Sequence, residues 1–350
     1  MKAQLHFAAL VALAAIGLVF QADSQATDLA RQPLNATTLA RPAVLFAMDD
    51  SGSMDAEVLI DGANQGWVYG NTSDAKLHPN GKRRDGWANG DTAMYYLFPN
   101  GVAAGNRVYA DGSRAGLAVP PTPQLAWTRS STYNPIYYNP DKVYAPWSPA
   151  YISGATQTFA NADPAAARSH PVLGTGTLAL NAPLLSSTAD WLFTFTAGMV
   201  IPSGATAITC ANGNVGALPY TVTVGNGSCK AAVAYFPASY WKKESCTDNG
   251  STCVTNYDGA TLALHEIKPA NYASDAAYTA AIQNFANWFS YHRKRRLLLA
   301  AAMGGVLENL TGVRMGVVAF NAQAVPTMYD ADLPLASANG LAVAAPFYLN

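Results

Sequence analysis

The stretch 42-PAVLFAMDDSGSM-54 joins a run of apolar residues to a run of oxygen-bearing side chains, and it decides the predicted fold. Residues 42–48 are almost entirely apolar, which is typical of a parallel strand that is buried on both faces. The polar side chains begin where this strand ends, and open α/β sheets bind ligands at the carboxyl ends of their strands. The sequence therefore predicts an α/β fold with a binding site directly after its first strand.

One frame of the polar run contains the triplet of an aspartic protease, Asp50-Ser51-Gly52. That chemistry needs two carboxylates that share one proton, so a two-lobed enzyme requires a second Asp-Ser/Thr-Gly. The nearest matches, "ADGS" at 110–113 and "YDGA" at 257–260, lack the hydroxyl residue in the middle. We therefore expect a protein that is not an enzyme.

The other frame places oxygen ligands at alternate positions, Asp49, Ser51 and Ser53. One carboxylate and two hydroxyls suit Mg²⁺, which keeps several waters and accepts few anionic ligands. A turn with helix-cap chemistry is the alternative for such a run. The buried strand before the run favours the metal site.

The first 26 residues have the pattern of a secretory signal peptide. A positive start at Met1-Lys2 precedes an uncharged apolar stretch from residue 5 to 20, and small residues at 24–26 suit a signal peptidase. The apolar stretch is short for a membrane span, with an uncleaved anchor as the alternative. We expect residues 1–26 to be removed and the exported protein to have no stable membrane span.

The net charge of −1 gives no long-range attraction for nucleic acid.

The four cysteines fit export, because an even number in an oxidising compartment indicates disulfides. Three pairings of Cys210, Cys229, Cys246 and Cys253 are possible. The pairing of neighbours closes the shortest loops and is the one we expect. A zinc site is the alternative, but no Cys-x-x-Cys or His pair supports it.

Residues 55–272 differ in amino-acid composition from the segments on either side. Gly, Pro, Asn and aromatic residues dominate, and short alternating runs separated by turns predict a β-rich insertion stapled by the disulfides. The aromatic cluster at 133–147 is either a contact surface or the local core of this insertion.

A helix with apolar spacings of three and four is predicted from a cap at Ser274 to Thr311-Gly312, followed by a buried strand at 313–321. Within that helix, the basic run 292-HRKRR-296 is expected to be a solvated face.

Three motifs carry a resemblance to known families. "VLFAMDDSGSM" (44–54) resembles the metal-ion-dependent adhesion site (MIDAS) of von Willebrand factor A domains, whose motif Asp-x-Ser-x-Ser follows the first strand. "NPIYYNPDKVYAPW" (134–147) and "NWFSYHRKRRLLLAAA" (287–302) are similar to segments of the PilY family. Proteins of that family are exported factors of type IV pilus assembly with a von Willebrand-type domain near the N-terminus. The ordered series of three motifs is more specific than Asp-x-Ser-x-Ser alone.

The resemblance implies a partial von Willebrand factor A (Rossmann-like) core at residues 40–54 and 273–350, with the insertion 55–272 after its first strand. It implies that Asp49, Ser51 and Ser53 hold Mg²⁺, or Mn²⁺ or Ca²⁺. The implied function is pilus biogenesis and tip adhesion in the periplasm or at the outer surface, as part of the fimbrium. The implied partners are minor pilins and host or abiotic surface ligands.

Two alternatives remain beside this function: a secreted von Willebrand-type adhesin unrelated to pili, and an exported aspartic-type hydrolase. Members of the PilY family are longer, with a C-terminal β-propeller that can carry a calcium loop. No blade repeat precedes Asn350, and the Thr and second Asp of later metal loops are not identified, since Thr327 lies too close to the strand at 313–321. We therefore expect either a fragment or a truncated gene product whose metal site is incomplete.

Overall fold

A computed structural model of the chain describes its secondary structure in segments. These are residues 41–50, 52–55, 57–58, 95–98, 117–152, 154–174, 176–184, 192–256, 258–320, 328–330 and 345–349. The elements below all belong to one compact unit, Ala43–Asn350. The predicted signal peptide, residues 1–26, and Thr327 lie outside the described residues.

The described residues contain both helices and strands, as the predicted α/β class requires. The strands are β1 (Ala43–Met48), β2 (Tyr95–Tyr96), β3 (Leu117–Ala118), β4 (Ala150–Ile152), β5 (Ala155–Gln157), β6 (Ala167–Arg168), β7 (Thr177–Leu178), β8 (Phe193–Phe195), β9 (Val200–Ile201), β10 (Thr206–Cys210), β11 (Tyr220–Thr221), β12 (Cys229–Ala232), β13 (Ser239–Lys243), β14 (Cys253–Thr255), β15 (Thr261–Glu266), β16 (Arg314–Ala319) and β17 (Tyr329–Asp330). The α-helices are α1 (Asp275–Tyr291), α2 (Arg295–Asn309) and α3 (Ala345–Leu349). Short 3-10 helices cover Gly52–Asp55, Pro123–Arg129, Val224–Asn226 and Pro269–Asn271.

The sheet that carries the predicted site has the order β1-β16-β17. β1 and β16 are parallel, with Ala43 opposite Arg314 and Met48 opposite Ala319, and β17 is antiparallel to β16. Parallel neighbours need a crossover connection, and the chain supplies it through α1 and α2. The predicted strand–helix–strand arrangement is therefore present, with the long insertion between β1 and α1.

The expectation that β1 is buried on both faces is wrong. Exposure alternates along the strand: Met48 is buried, whereas Leu45 is 55% exposed. Phe46, Met48 and Val317 pack in a cluster with α2 and α3, so these helices cover one face of the sheet. No described element buries Leu45 on the opposite face, which explains the alternation.

The predicted single helix is divided in two. Its start is confirmed, because Ser274 caps α1 by accepting a hydrogen bond from the Ala277 amide (3.2 Å). α1 ends at Tyr291 and α2 begins at Arg295, and the backbone of Lys294 between them is extended (φ −109°, ψ 155°). This break turns Arg293 and Lys294 toward the interior, where they meet acidic partners described below.

Described residues of the insertion form several small sheets, including β10-β12-β8 and β13-β15-β14. Its apolar side chains share one core with α1, to which the helix contributes Phe285, Trp288 and Phe289. The expected disulfide pairing is confirmed. Cys210–Cys229 joins the neighbouring strands β10 and β12, and Cys246–Cys253 closes a loop before β14.

Candidate metal site and the ionic clamp beside it

The predicted metal ligands follow β1 at the carboxyl edge of its sheet. Asp49 is half-buried, and the carbonyl oxygen of Met48 before it accepts a hydrogen bond from the Phe320 amide (3.1 Å). Ser53 lies in the 3-10 helix after β1, where only its backbone is described, and Ser51 lies outside the described residues. Asp49 is thus at the predicted edge, while the convergence of the three oxygens stays a prediction.

The donor chemistry of this edge fits a hard divalent cation, since one carboxylate and two hydroxyls are ligands that Mg²⁺ accepts. Within the described segments, no group of three or more His, Cys, Asp or Glu side chains could hold a metal ion. A site built from Asp49, Ser51 and Ser53 contains one such side chain, so this finding does not conflict with it. Waters or a partner would have to supply the remaining coordination.

Directly after the predicted ligands, Asp55 is nearly fully buried, with its side chain 2% exposed. The ammonium group of Lys294 donates to its Oδ1 (2.7 Å), and the hydroxyl of Tyr96 donates to its Oδ2 (2.7 Å). Arg296 Nε lies 4.0 Å from Oδ1. Burial and the Asp55 carboxylate raise the pKa of the Tyr96 hydroxyl, which therefore keeps the proton that it donates.

Glu57 forms a second buried pair, with Arg293. The Arg293 Nε donates to its Oε1 (2.9 Å), and both side chains are at most 2% exposed. The amides of Leu97 and Phe98 donate to Oε2 (2.6 and 3.1 Å), so both carboxylate oxygens are satisfied. We call Asp55, Glu57, Arg293 and Lys294 the ionic clamp, because it joins the start of the insertion to the chain just before α2.

The prediction of a solvated basic face at 292–296 is wrong. The side chains of Arg293 and Lys294 are 1% and 0% exposed, and Arg296 is 11% exposed. Burying such charges is costly unless each is paired and hydrogen-bonded. Acidic partners more than 230 residues earlier in the chain meet that requirement.

A histidine on the neighbouring loop is held neutral by these buried cations. Burial, together with the charges of Lys294 and Arg293, lowers the pKa of His170 to about 2. Its Nδ1 accepts hydrogen bonds from the amides of Val172 (3.1 Å) and Leu173 (2.9 Å). These bonds require an unprotonated Nδ1, so geometry and electrostatics agree.

The last cation of interest, Arg295, is the first residue of α2 and is half-buried. Burial lowers the pKa of its guanidinium, and the Asp49 carboxylate acts in the opposite direction by stabilising the charged form. α2 contacts the 3-10 helix Gly52–Asp55, and Arg296 near the start of α2 lies 4.0 Å from the Asp55 carboxylate. A cationic helix start therefore faces the loop that carries the predicted ligands.

The two segments that resemble the PilY family pack directly on each other. Trp288 Nε1 donates to the carbonyl oxygen of Ile136 (3.0 Å), and Trp147 Nε1 donates to that of Tyr291 (2.9 Å). The side-chain amide of Asn287 donates to a second carbonyl of the first segment, that of Tyr144 (2.9 Å). Burial removes the hydrogen bonds that water would donate to these carbonyl oxygens. The indole and side-chain amide groups donate hydrogen bonds in their place.

Of the two interpretations of the aromatic cluster, the local core is confirmed for three of its members. Tyr137, Tyr138 and Trp147 are at most 3% exposed. Tyr137 contacts Trp288 edge-on, with ring centroids 4.8 Å apart, and its hydroxyl donates to the Ser239 carbonyl oxygen (2.7 Å). Such packing of buried aromatic rings is a large part of core stability.

Neither the clamp nor the break before α2 was predicted from the sequence. The only local signal was the spacing itself: two acids two residues apart, Asp55 and Glu57, and two adjacent basic residues, Arg293 and Lys294.

No helix within the described segments has the length and apolarity needed to cross a membrane. Comparisons with protein-family models, with curated proteins and with solved structures found no match for this chain.

Proposed function

We propose that this protein is an exported factor of type IV pilus biogenesis and tip adhesion, which binds its partners through a divalent cation held after β1. The observation that carries the proposal is the packing of the two PilY-like segments, 134–147 and 287–302. The second segment continues through the ionic clamp into α2, which contacts the 3-10 helix Gly52–Asp55 after β1. Two motifs far apart in sequence thus pack together and contact the 3-10 helix that follows the predicted ligand Asp49.

The chemistry assigned to this unit is binding, not catalysis. Asp49, Ser51 and Ser53 would hold the cation, which when bound supplies an open coordination position for an acidic group of a partner. The ionic clamp fixes the chain at Asp55 and Glu57, directly after these ligands. A site supported by locked neighbouring side chains loses less entropy when its ligand binds.

Export is supported by the two disulfides, since such bonds persist in oxidising compartments such as the periplasm and the cell exterior. The sheet edge also supports the proposal, because open α/β sheets bind ligands outside the carboxyl ends of their strands. Pilus association rests on the motif resemblance.

Calorimetric titration of the purified chain with Mg²⁺ and Mn²⁺ tests the metal site. Asp49→Ala is expected to abolish binding, whereas Asp50→Ala keeps it, because Asp50 is only a spacer in this frame. Asp141→Ala, at an exposed position in the insertion, is the matched control and should bind as wild type does. Equal binding by wild type and Asp49→Ala would refute the site.

Deletion of the gene tests the pilus role, with loss of surface pili or of twitching as the expected result. Complementation with wild type should restore both, and complementation with Asp49→Ala should restore less adhesion. A deletion strain that is fully piliated and motile would favour the pilus-unrelated adhesin. Pepstatin-sensitive proteolysis that disappears in Asp50→Ala would instead favour the hydrolase.

A further inference from the structure

The two pairs of the ionic clamp differ in their chemistry. A guanidinium stays protonated in proteins, so Arg293 can pair with Glu57 only as an ion. A lysine amine can lose its proton when it is buried, and a neutral amine is a nucleophile. The Lys294 side chain is 0% exposed, and its Nζ lies 2.7 Å from Oδ1 of Asp55, whose side chain is 2% exposed. The interior therefore holds a potential nucleophile against a carboxyl group.

The surroundings of Lys294 act against its charged form. Burial lowers the pKa of the amine, and among the neighbouring charges Asp55 raises this pKa while Arg293 lowers it. Transfer of one proton within the pair, from the ammonium to the carboxylate, leaves two neutral groups and removes the cost of burying two charges. The hydrogen bond already holds the nitrogen close to the carboxyl carbon, and reacting atoms about 3–3.5 Å apart behave as an intramolecular pair.

Tyr96 and Arg296 act on the two oxygens of the Asp55 carboxyl group. The Tyr96 hydroxyl donates to Oδ2 (2.7 Å), and the Lys294 Nζ lies over the same ring, 5.1 Å from its centroid. A donor at Oδ2 stabilises the negative charge that develops there when a nucleophile attacks the carbon. Arg296 Nε, 4.0 Å from Oδ1, stabilises charge on the other oxygen. The two oxygens thus have different partners, and only Oδ1 contacts the amine.

We propose that Lys294 and Asp55 condense to an isopeptide bond, which joins the start of the insertion covalently to the chain before α2. The Lys294 Nζ attacks Cγ of Asp55, the bond from Cγ to Oδ1 breaks, and Oδ1 leaves as water with two of the three ammonium protons. Oδ2 remains as the amide oxygen and keeps the hydrogen bond from Tyr96. An ammonium and a carboxylate together contain the atoms of one amide and one water, so no other reactant is needed. Burial excludes the water that hydrolysis of the bond requires.

Two other lysine–carboxylate pairs of the described residues lack this setting. The side chains of Lys268 and Glu266 are 38% and 31% exposed, and those of Lys243 and Asp258 are 47% and 34% exposed. Water solvates an exposed ammonium group, which keeps its proton and is not a nucleophile. These pairs therefore stay ionic and supply matched controls.

Mass spectrometry of the purified full chain, unfolded and with its disulfides reduced, tests the bond. Wild type is expected to be lighter than its sequence by one water molecule, and its trypsin digest should contain a branched peptide that joins Asp55 to Lys294. Lys294→Arg keeps the positive charge but cannot condense, so it should have its full mass. Lys268→Arg, in an exposed pair, is the matched control and should lose water as wild type does. Tyr96→Phe should form the bond roughly a hundredfold more slowly.

A wild-type chain of full mass, with no branched peptide in its digest, would overturn the proposal and leave the pair ionic. Loss of water that persists in Lys294→Arg would overturn it as well, because the water would then come from another site. The wild-type digest decides the matter even where a variant does not fold, since it either contains the joined peptide or lacks it. The bond needs no metal ion, so its outcome is independent of the titration with Mg²⁺ described above.

Discussion

Replacement of Glu57 by glutamine tests whether the ionic clamp stabilises the fold. The substitution keeps the size of the side chain but removes the charge that faces Arg293, whose side chain is 1% exposed. It also directs an amide NH₂ toward the donors that surround the carboxylate, namely Arg293 Nε and the amides of Leu97 and Phe98. Donors that face donors in a buried site lose their hydrogen bonds.

The expected loss of unfolding free energy is about 3–5 kcal/mol, the usual cost of removing one partner of a buried ion pair. Domains are typically stable by about 5–15 kcal/mol, so the loss is a large part of the total. An exposed pair should behave differently. Glu266 and Lys268 form a salt bridge with side chains 31% and 38% exposed, and Glu266→Gln should cost at most about 1 kcal/mol.

Urea unfolding followed by tryptophan fluorescence measures both variants, because the buried Trp288 packs on the ring of Phe98, whose amide donates to Glu57. Glu57→Gln should lower the midpoint without changing the slope. The double variant Glu57→Gln/Arg293→Met should lose less than the sum of the single variants, since it leaves no uncompensated charge. Equal losses for Glu57→Gln and Glu266→Gln would refute this account of the clamp.

Four further substitutions have expected outcomes that follow from local packing, hydrogen bonds and burial. Gly304→Ala should lower the melting temperature, because its Cβ would clash with the hydroxyl of Tyr348, which is buried and held by a hydrogen bond to the Ser148 carbonyl oxygen (3.0 Å). Gly305→Ala meets nothing within 4 Å and should gain about 0.5–1 kcal/mol of helix stability. For His170, the folded-state pKa of about 2 lies below the ordinary value of 6.5, so the unfolded state takes up the proton and stability falls as the pH drops through that window. The His170 share of the loss between pH 7 and pH 5 is about 2 kcal/mol, and chemical unfolding of His170→Asn at both pH values should show its absence. Asn287→Ala should lose about 2 kcal/mol in thermal unfolding, because it leaves two half-buried backbone groups, the Ala162 amide and the Tyr144 carbonyl, without these hydrogen bonds.

Much of the local structure follows from local sequence patterns. The apolar run 42–48 and the stretch 313–321 contain β1 and β16, and Ser274 starts α1 where a cap residue was predicted. The disulfide pairing agrees with the shortest loops. These predictions succeed because each depends on residues that are close in the chain and on rules that hold in any context.

The helix break and the burial of the basic run could not be predicted in this way. The helical spacing of three and four continues across 292–296 at His292 and Arg296, and arginine and lysine side chains on a helix are usually solvated. Their burial depends on Glu57, which is 236 residues from Arg293. Nothing in the spacing along the chain indicates which acidic residue will meet which basic one.

By itself, the sequence determined the α/β class, the strand that ends at Asp49, the oxygen-rich run after it and the β-rich insertion. Tertiary structure alone decided that one face of β1 stays exposed, that the aromatic segment is core and that Arg293 and Lys294 face inward. The physical reason is that a charge or an aromatic ring is stable in the interior only when particular partners surround it. Those partners come together through folding, since they lie on segments that the chain keeps far apart.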